Sequence, residues 1–460
     1  MAKRTLEDIW EQELDAWLEP FAAHLGRASQ RKWAPVYMKG LMGPGDRKSV
    51  QPMAERVAPG DLQQLHHFVS CSPWEERALW EELARRADAL VGGSGAHLII
   101  DDTAGVKQGK CSVGVARQYC GALGKRANCQ ALVSLTLARR ETPVCVGLRL
   151  YLPKAWTDDP ERCRRAGVPE GIAFKTKGEI ALEEVDRLLA AGVRFDDALA
   201  DACYGACAQF RQGLSRRGLR WAVGILPTQN VYPENVKVGL APPRGKGRPR
   251  SRASPSRPPG SAQATIEGLG NKAFKTVTWR NGTKGPLSCE FAAVRVRPAD
   301  GEPSAKGTGL PGEAAWLVCE RRSATDLRYY LSCLPPDATL TRLAAQIKGR
   351  WPCEQSHQQM KEELGLDHFE GRSWRGLNHH LVLTAMSLAF LQHLRLKEHD
   401  AQETSSKPRR APCRKRASRC AEKKKAHPRP PAAAIAARRA QENRPMPERR
   451  HPLPSLQPPD

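Results

Sequence analysis

The sequence predicts a mixed α/β protein, and three observations carry that expectation. Residues 5–92 repeat apolar side chains at helical spacing. The pattern then switches to short runs rich in β-branched residues, "AHLIIDDT" (96–103), "CQALVSLTLARR" and "PVCVGLRLYLP". Helix and strand alternate after that, through "KGEIALEEVDRLLAAGV" (177–193), "DDALADACYG" (196–205), "CAQFRQGLSRRGL" and "RWAVGILP" (220–227). Three consecutive strands followed by alternation imply a mixed sheet, not an all-parallel one.

The elements divide the chain as follows. Thr5 is an N-cap candidate, and Ile9, Trp10, Leu14, Trp17, Leu18, Phe21 and Leu25 share one helical face. "SPWEERALWEELARRADALVGG" (72–93) is a second amphipathic helix, ended by Gly92-Gly93. A helical domain is therefore expected over 1–95, with DNA contact a candidate role for its Lys and Arg. The first part of the sheet core follows over 96–227. Residues 228–313 interrupt it as a β-rich insertion. Within them "APPRGKGRPRSRASPSRPPGSA" (241–262) reads as a mobile basic loop. "FKTVTWRNGTKGPLSCEFAAVRVRP" reads as a hairpin turning near Asn281-Gly282. Strands "AWLVCERR" and "LRYYLSCLP" and a long helical stretch from Leu340 complete the core over 314–396. Residues 397–460 carry Pro, Ala and basic residues without amphipathic period, and are expected to be a disordered basic tail.

At 460 residues the chain has room for two to four domains. Its net charge of +24 includes +11 from residues 401–460, which hold 16 Lys/Arg against 5 Asp/Glu. Charge of that sign favours a polyanionic partner. The N-terminus "MAKRTLEDIWEQEL" has no signal-peptide run, and "LVLTAMSLAFL" (381–391) falls short of the ~20 residues a membrane helix needs. A soluble cytoplasmic protein without membrane contact is expected. The 14 cysteines fall singly; Cys203 and Cys207 are four apart but lack a nearby His, so reduced thiols are expected, not a zinc site.

Carboxylates at strand ends are the chemically suggestive feature. Asp102 and Asp201 each close a short apolar strand, where a sheet holds a side chain stiffly at its rim. Asp101 competes with Asp102, since alternation puts the two on opposite faces. In "RWPCEQSHQQMKEELGLDHFEGR" (350–372), Pro352 suits a helix start and places Glu354 in the first turn, near the positive end of the dipole. Lys361 returns to the Glu354 face about 10 Å along, and Arg350 lies four residues before Glu354. Three converging carboxylates repel unless cations sit between them. Two hard divalent ions resolve that repulsion and suit phosphoryl displacement. Read singly, each signal also fits a cap, a turn or a solvated helix face.

"LIIDDTAGVKQGKCSVGVARQYCGALGK", "LADACYG", "GTKGPLS" and "RWPCEQSHQQMKEELGLDHFEGRSWRG" resemble, in order and spacing, the DDE transposases of bacterial insertion sequences, in particular the seven-hundred-and-one group of the IS four-like branch. The resemblance spans roughly residues 20 to 395. It implies a ribonuclease-H-like core, interrupted before its last helix by the β-rich insertion. It also implies catalysis by two Mg2+ ions, with Mn2+ as a substitute, held by Asp102, Asp201 and Glu354. Within the family pattern Tyr-x2-Arg-x3-Glu-x6-Lys, Arg350, Glu354 and Lys361 match, while Ile347 stands where the tyrosine belongs. The implied partners are the DNA ends of the element and its target, engaged by a homodimer at the bacterial nucleoid. Arg350, Lys361, Lys107, Lys110, Arg117, Tyr119, Lys125 and Arg372 are the DNA-contact candidates. Two rivals keep the fold: a decayed copy that only binds DNA, and a general ribonuclease-H-like nuclease.

Overall fold

Leu98, Ile99 and Ile100 are fully buried, so the strand they occupy has a core on each side. Alternation sends Leu98 and Ile100 into the larger core and Ile99 into a smaller one with Leu199, Leu343, Ile347 and Cys353. A strand buried on both faces belongs at the centre of a sheet covered by helices on each side. In the computed structural model, which describes residues 6–240, 253–282, 285–301 and 309–406, that is its place. The chain divides into units Met1–Thr404 and Ser405–Asp460, and the first holds the sheet.

Five helices open the chain: α1 (Leu6–Ala22), α2 (Ala28–Met42), α3 (Val50–Val57), α4 (Leu62–Ser70) and α5 (Glu76–Val91). The core strands are β1 (Ala96–Val106), β2 (Lys125–Arg139) and β3 (Thr142–Leu150), followed by α6 (Lys177–Ala190), β4 (Asp197–Ala200), α7 (Ala208–Arg216) and β5 (Arg220–Ile225). β2 pairs antiparallel with β1 and β3, and β4 runs parallel to both β1 and β5. The resulting order β3-β2-β1-β4-β5, three antiparallel strands followed by two parallel ones, is the ribonuclease-H-like topology.

Beyond β5 the same sheet continues through β6 (Lys275–Gly282), β7 (Gly285–Pro298), β8 (Ala315–Arg321) and β9 (Leu327–Ser332). β9 pairs with β5, β8 with β9, and β7 with β8, so the β6–β7 hairpin of the insertion joins the core sheet through β8 and β9. The β6–β7 hairpin closes where the sequence indicates, with Gly282 paired to Gly285. The basic loop is only partly as expected. Residues 241–252 lie outside the described residues, but 253–262 contain the short strands Ser254–Pro255 and Gly260–Ser261 and the start of helix Ala262–Glu267.

Three helices close the unit: α8 (Leu340–Lys348), α9 (Trp351–Glu362) and α10 (Trp374–Ser406). α8 lies against the Ile99 side of the sheet. Gln346 there donates to Asp197 at 2.9 Å and accepts from Ser332 at 2.7 Å, a buried network that fixes the helix across β4 and β9. Gly349 lets the helix approach β1 closely, since a Cβ there would come within 2.9 Å of the His97 ring.

The N-terminal helices share a core with α10 and do not stand apart as a separate domain. Trp10 meets Phe390 edge-on at 6.0 Å, Trp17 stacks on His393 at 5.1 Å, and Trp74 stacks on His379 at 3.5 Å. Burying a Phe or Leu in this way contributes about 1.5–3 kcal/mol each. α10 runs on through Ser406, and Lys397 pairs with Glu13 at 2.7 Å. Residues 397–406, expected in the tail, are thus helical, and Lys397 ties the start of that stretch to α1. The rest of the expected tail, 407–460, lies outside the described residues. Among the described residues no helix is long and apolar enough to cross a membrane.

Candidate active site at the rim of the sheet

The rim is built where β1 and β4 end side by side. Their parallel register pairs Ile99 with Leu199 and Ile100 with Ala200, so the next residues, Asp101 and Asp201, come together. Asp201 has left the strand and caps the short helix Ala202–Gly205, accepting from the Cys203 and Tyr204 amides at 2.9 and 3.3 Å. That helix lies so close to β5 that a Cβ on Gly205 would stand 1.9 Å from the Gly224 carbonyl, which only glycine permits. Asp201 is therefore both the cap that the bland reading offers and a rim carboxylate.

Asp101 shares the face of Ile99, toward α8 and α9. There Arg350, between the two helices, donates to Asp101 at 2.6 Å and to Glu354 at 3.0 Å. Burial pushes the Asp101 carboxyl up to about 6, with Asp201 and Asp102 adding to the rise and Arg350 opposing it. Burial also works against the Arg350 charge, but Asp101, Glu354 and Asp201 outweigh it and hold the guanidinium above its ordinary value. One cation thus sits among three carboxylates from β1, the β4 end and α9. Glu354 itself is more than half exposed, in the first turn of α9.

Asp102, the residue expected to supply the first carboxylate, faces the other way. Alternation along β1 turns it toward α6, where Lys177 pairs with it and the Tyr204 hydroxyl donates at 2.6 Å. Lys177 occupies the first turn of α6, the wrong end of a helix dipole for a cation, and Asp102 offsets that cost. The carboxylate that shares Arg350 with Glu354 is accordingly Asp101, through a helix some 250 residues downstream.

The DNA-contact candidates divide by what they already hold. Arg117, Tyr119 and Lys125 are exposed on the hairpin of β2 and the strand Ala116–Cys120, Tyr119 at 62%. Lys110 and Arg372 are exposed too. Lys107 is not a free surface charge, because its ammonium donates to the Phe369 carbonyl at 2.7 Å and to that of Asp367 at 3.3 Å. Lys361 lines a narrow cleft with Thr103, Gly105 and Lys107 beside β1. Two rim residues escaped sequence reasoning. Trp351, next to Arg350, leaves its indole 45% exposed with the Arg280 guanidinium 5.5 Å above it. His357, one turn past Cys353, sits 2.7 Å from the Ser134 hydroxyl, and burial pushes its imidazole down to about 3.

A ribonuclease-H-like sheet with carboxylates from β1, the end of β4 and a late helix defines a class of metal-dependent phosphoryl-transfer enzymes. Residues 20–286 match the family described as DDE superfamily endonuclease, and the chain belongs to it. Over 194 residues it is 31% identical to the probable transposase for insertion sequence element IS701 of Microchaete diplosiphon, covering 40% of this chain. The chain spans about half, 48%, of that curated relative. Among solved structures, a piggyBac transposase synaptic complex with hairpin DNA aligns with a TM-score of 0.39 and 12% identity, over 87% of this chain and 74% of that one. Enzymes of the DDE superfamily generally use divalent metal ions. The donor set here fits such ions: three carboxylates, all hard oxygen ligands, gathered around a positive charge that offsets their repulsion.

Proposed function

We propose that the chain is an insertion-sequence transposase that cuts a phosphodiester at the element's DNA ends and joins the freed 3′ end to target DNA. The observation that carries this reading is the gathering of Asp101 and Glu354 on one guanidinium, with Asp201 beside them. Asp101, Asp201 and Glu354 are assigned as the ligands of the divalent ions, for which Mg2+ is the candidate and Mn2+ the substitute. Such ions, when bound, supply a nucleophilic water and neutralise charge on the attacking and leaving oxygens. Asp201 holds its carboxylate in place through the amides it caps, and β1 holds Asp101 through its paired register with β2 and β4. In this reading Arg350 and Lys361 receive the phosphates of the cut strand, Arg350 exchanging its carboxylates for phosphate oxygens. Arg117, Tyr119, Lys125, Lys110 and Arg372 extend the cationic surface for the DNA. A homodimer at the nucleoid is the proposed working form.

The test is incubation of purified chain with labelled DNA carrying the element ends, with and without Mg2+ or Mn2+. Cation-dependent nicking at the ends is expected. Binding without any cut would replace the proposal with a DNA-binding remnant, and cuts throughout unrelated DNA would replace it with a general nuclease.

A further inference from the structure

Behind the carboxylate rim lies a second donor set that the proposed chemistry does not use. Cys353 and His357 are four residues apart on α9, so both point from one helix face toward the sheet. The Cys353 Sγ lies 3.6 Å from the His357 Nε2. A zinc-type ion bound about 2.3 Å from sulfur and about 2.0 Å from nitrogen in a tetrahedron holds the two atoms about 3.5 Å apart. The spacing is therefore already right. A carboxylate oxygen of Asp101 completes a trio whose ligand atoms all lie within 4.8 Å of one another. Thiolate is a soft donor and imidazole a borderline one, and together they select zinc-class ions over Mg2+.

The geometry points to a zinc-class metal site formed by Cys353, His357 and Asp101, with its fourth position open, that shares Asp101 with the rim and so competes with the hard ions there. Binding releases the Cys353 proton to solvent and requires the His357 proton to sit on Nδ1. Thiolate and carboxylate then bring two negative charges to one divalent ion, while Arg350 and Lys361 nearby act against it. Ser134, 2.7 Å from the His357 Nε2, loses that contact when the ion enters, while the Thr136 hydroxyl, 3.5 Å from the sulfur, donates to the thiolate. Drawing Asp101 inward takes it from Arg350 and from the rim, so the soft ion shuts off cleavage. That last consequence rests on the proposed transposase reading; the binding site does not.

The probe is Co2+, added to the full metal-free chain and followed by optical absorption. A thiolate-to-cobalt charge-transfer band saturating at one ion per chain is expected. It should vanish in Cys353→Ser and Cys353→Ala and need at least tenfold more Co2+ in His357→Ala. Absence of the band, or a band undiminished in all three variants, overturns the site. Zn2+ at the concentration that displaces Co2+ should stop Mg2+-dependent nicking by the wild type and spare Cys353→Ala. A cobalt band with no nicking under any condition would retain the site and overturn the transposase reading; nicking without the band would do the reverse.

Discussion

Two polar clusters of this fold treat charge in opposite ways. At the sheet rim, Asp101, Asp201 and Glu354 crowd around Arg350, and four formal charges do not balance. In the helical layer, His380 is buried yet complete: its Nδ1 faces the Tyr37 hydroxyl at 2.9 Å, and its Nε2 faces the Gly365 and Leu366 carbonyls at 3.2 Å. A neutral imidazole satisfies both contacts at once, accepting at one nitrogen and donating at the other. The contrast separates a polar group that serves folding from one held ready for a ligand. The first is closed by partners inside the protein, and the second keeps an excess of one charge that only something from outside removes.

The largest expected effect breaks the rim comparison within β1 itself. Asp101→Asn should lower Mg2+-dependent nicking by about 10²–10³-fold or more, the scale of losing a principal electrostatic group of an active site. Asp102→Asn keeps a Tyr204 hydrogen bond and loses only the Lys177 charge pairing, so a decrease of about tenfold or less is expected. Single-turnover nicking of end DNA measures both. The reverse ranking would return the first ligand to Asp102 and dismantle the assignment made from the faces of β1.

For the helical layer the measurement is stability. His380→Ala removes a fully buried ring and strands the Tyr37 hydroxyl, for an expected cost of about 3 kcal/mol in denaturant melts. Burial pushes the His380 imidazole down to about 4. The unfolded chain, with an ordinary imidazole, then binds the proton first as pH falls, so the unfolded state holds more protons between about 6.5 and 4. Stability is present above that window and is lost going down through it, at up to about 1.4 kcal/mol per pH unit. His380→Gln should flatten this slope relative to wild type. An unchanged slope would show that the ring is not a neutral, closed contact.

The same contrast marks what the sequence makes legible. The continuous apolar run in "HLIID" and the helical period through residues 177–193 give the mixed sheet and its covering helices, because burial alone sets those patterns. Strand-end positions pick out Asp101, Asp102 and Asp201, the helix start at Pro352 picks out Glu354, and the resemblance joins Asp102, Asp201 and Glu354 into one site. The choice between Asp101 and Asp102 depends on which helix covers which face, and that is tertiary information. Lys177 and His357 are invisible for the same reason: each touches a strand some 75 or 220 residues away, and no local spacing announces it. The union of the N-terminal helices with α10 is likewise a contact between chain ends, although the Trp and Phe that form it stand out as apolar faces.

Arg350 sharpens the comparison at the next scale. Arg350→Ala leaves Asp101, largely buried, and Glu354 without their shared cation. In chelator the cost should be about 2 kcal/mol, less than for a fully buried pair because the guanidinium side chain is 26% exposed. Saturating Mg2+ should restore most of that loss, since ions at the rim replace the missing positive charge. Thermal melts of the variant with and without Mg2+ read both quantities. A loss that Mg2+ does not touch would mean that Arg350 only packs.

The smallest effect is the most discriminating. Glu354 lies on the surface of α9 and, among the described residues, pairs with Arg350, so Glu354→Gln changes little packing. Its stability in chelator should stay within about 0.5 kcal/mol of wild type, the range of ordinary surface changes, because the lost ion pair is offset by relief of repulsion with Asp101 and Asp201. The wild type should gain stability from Mg2+ through mass action, and the variant should gain less, because one ligand has lost its charge. A solvated helix glutamate would show the first result without the second. Equal stabilisation of both proteins by Mg2+ would therefore place Glu354 outside the metal site, whatever the nicking assay reports.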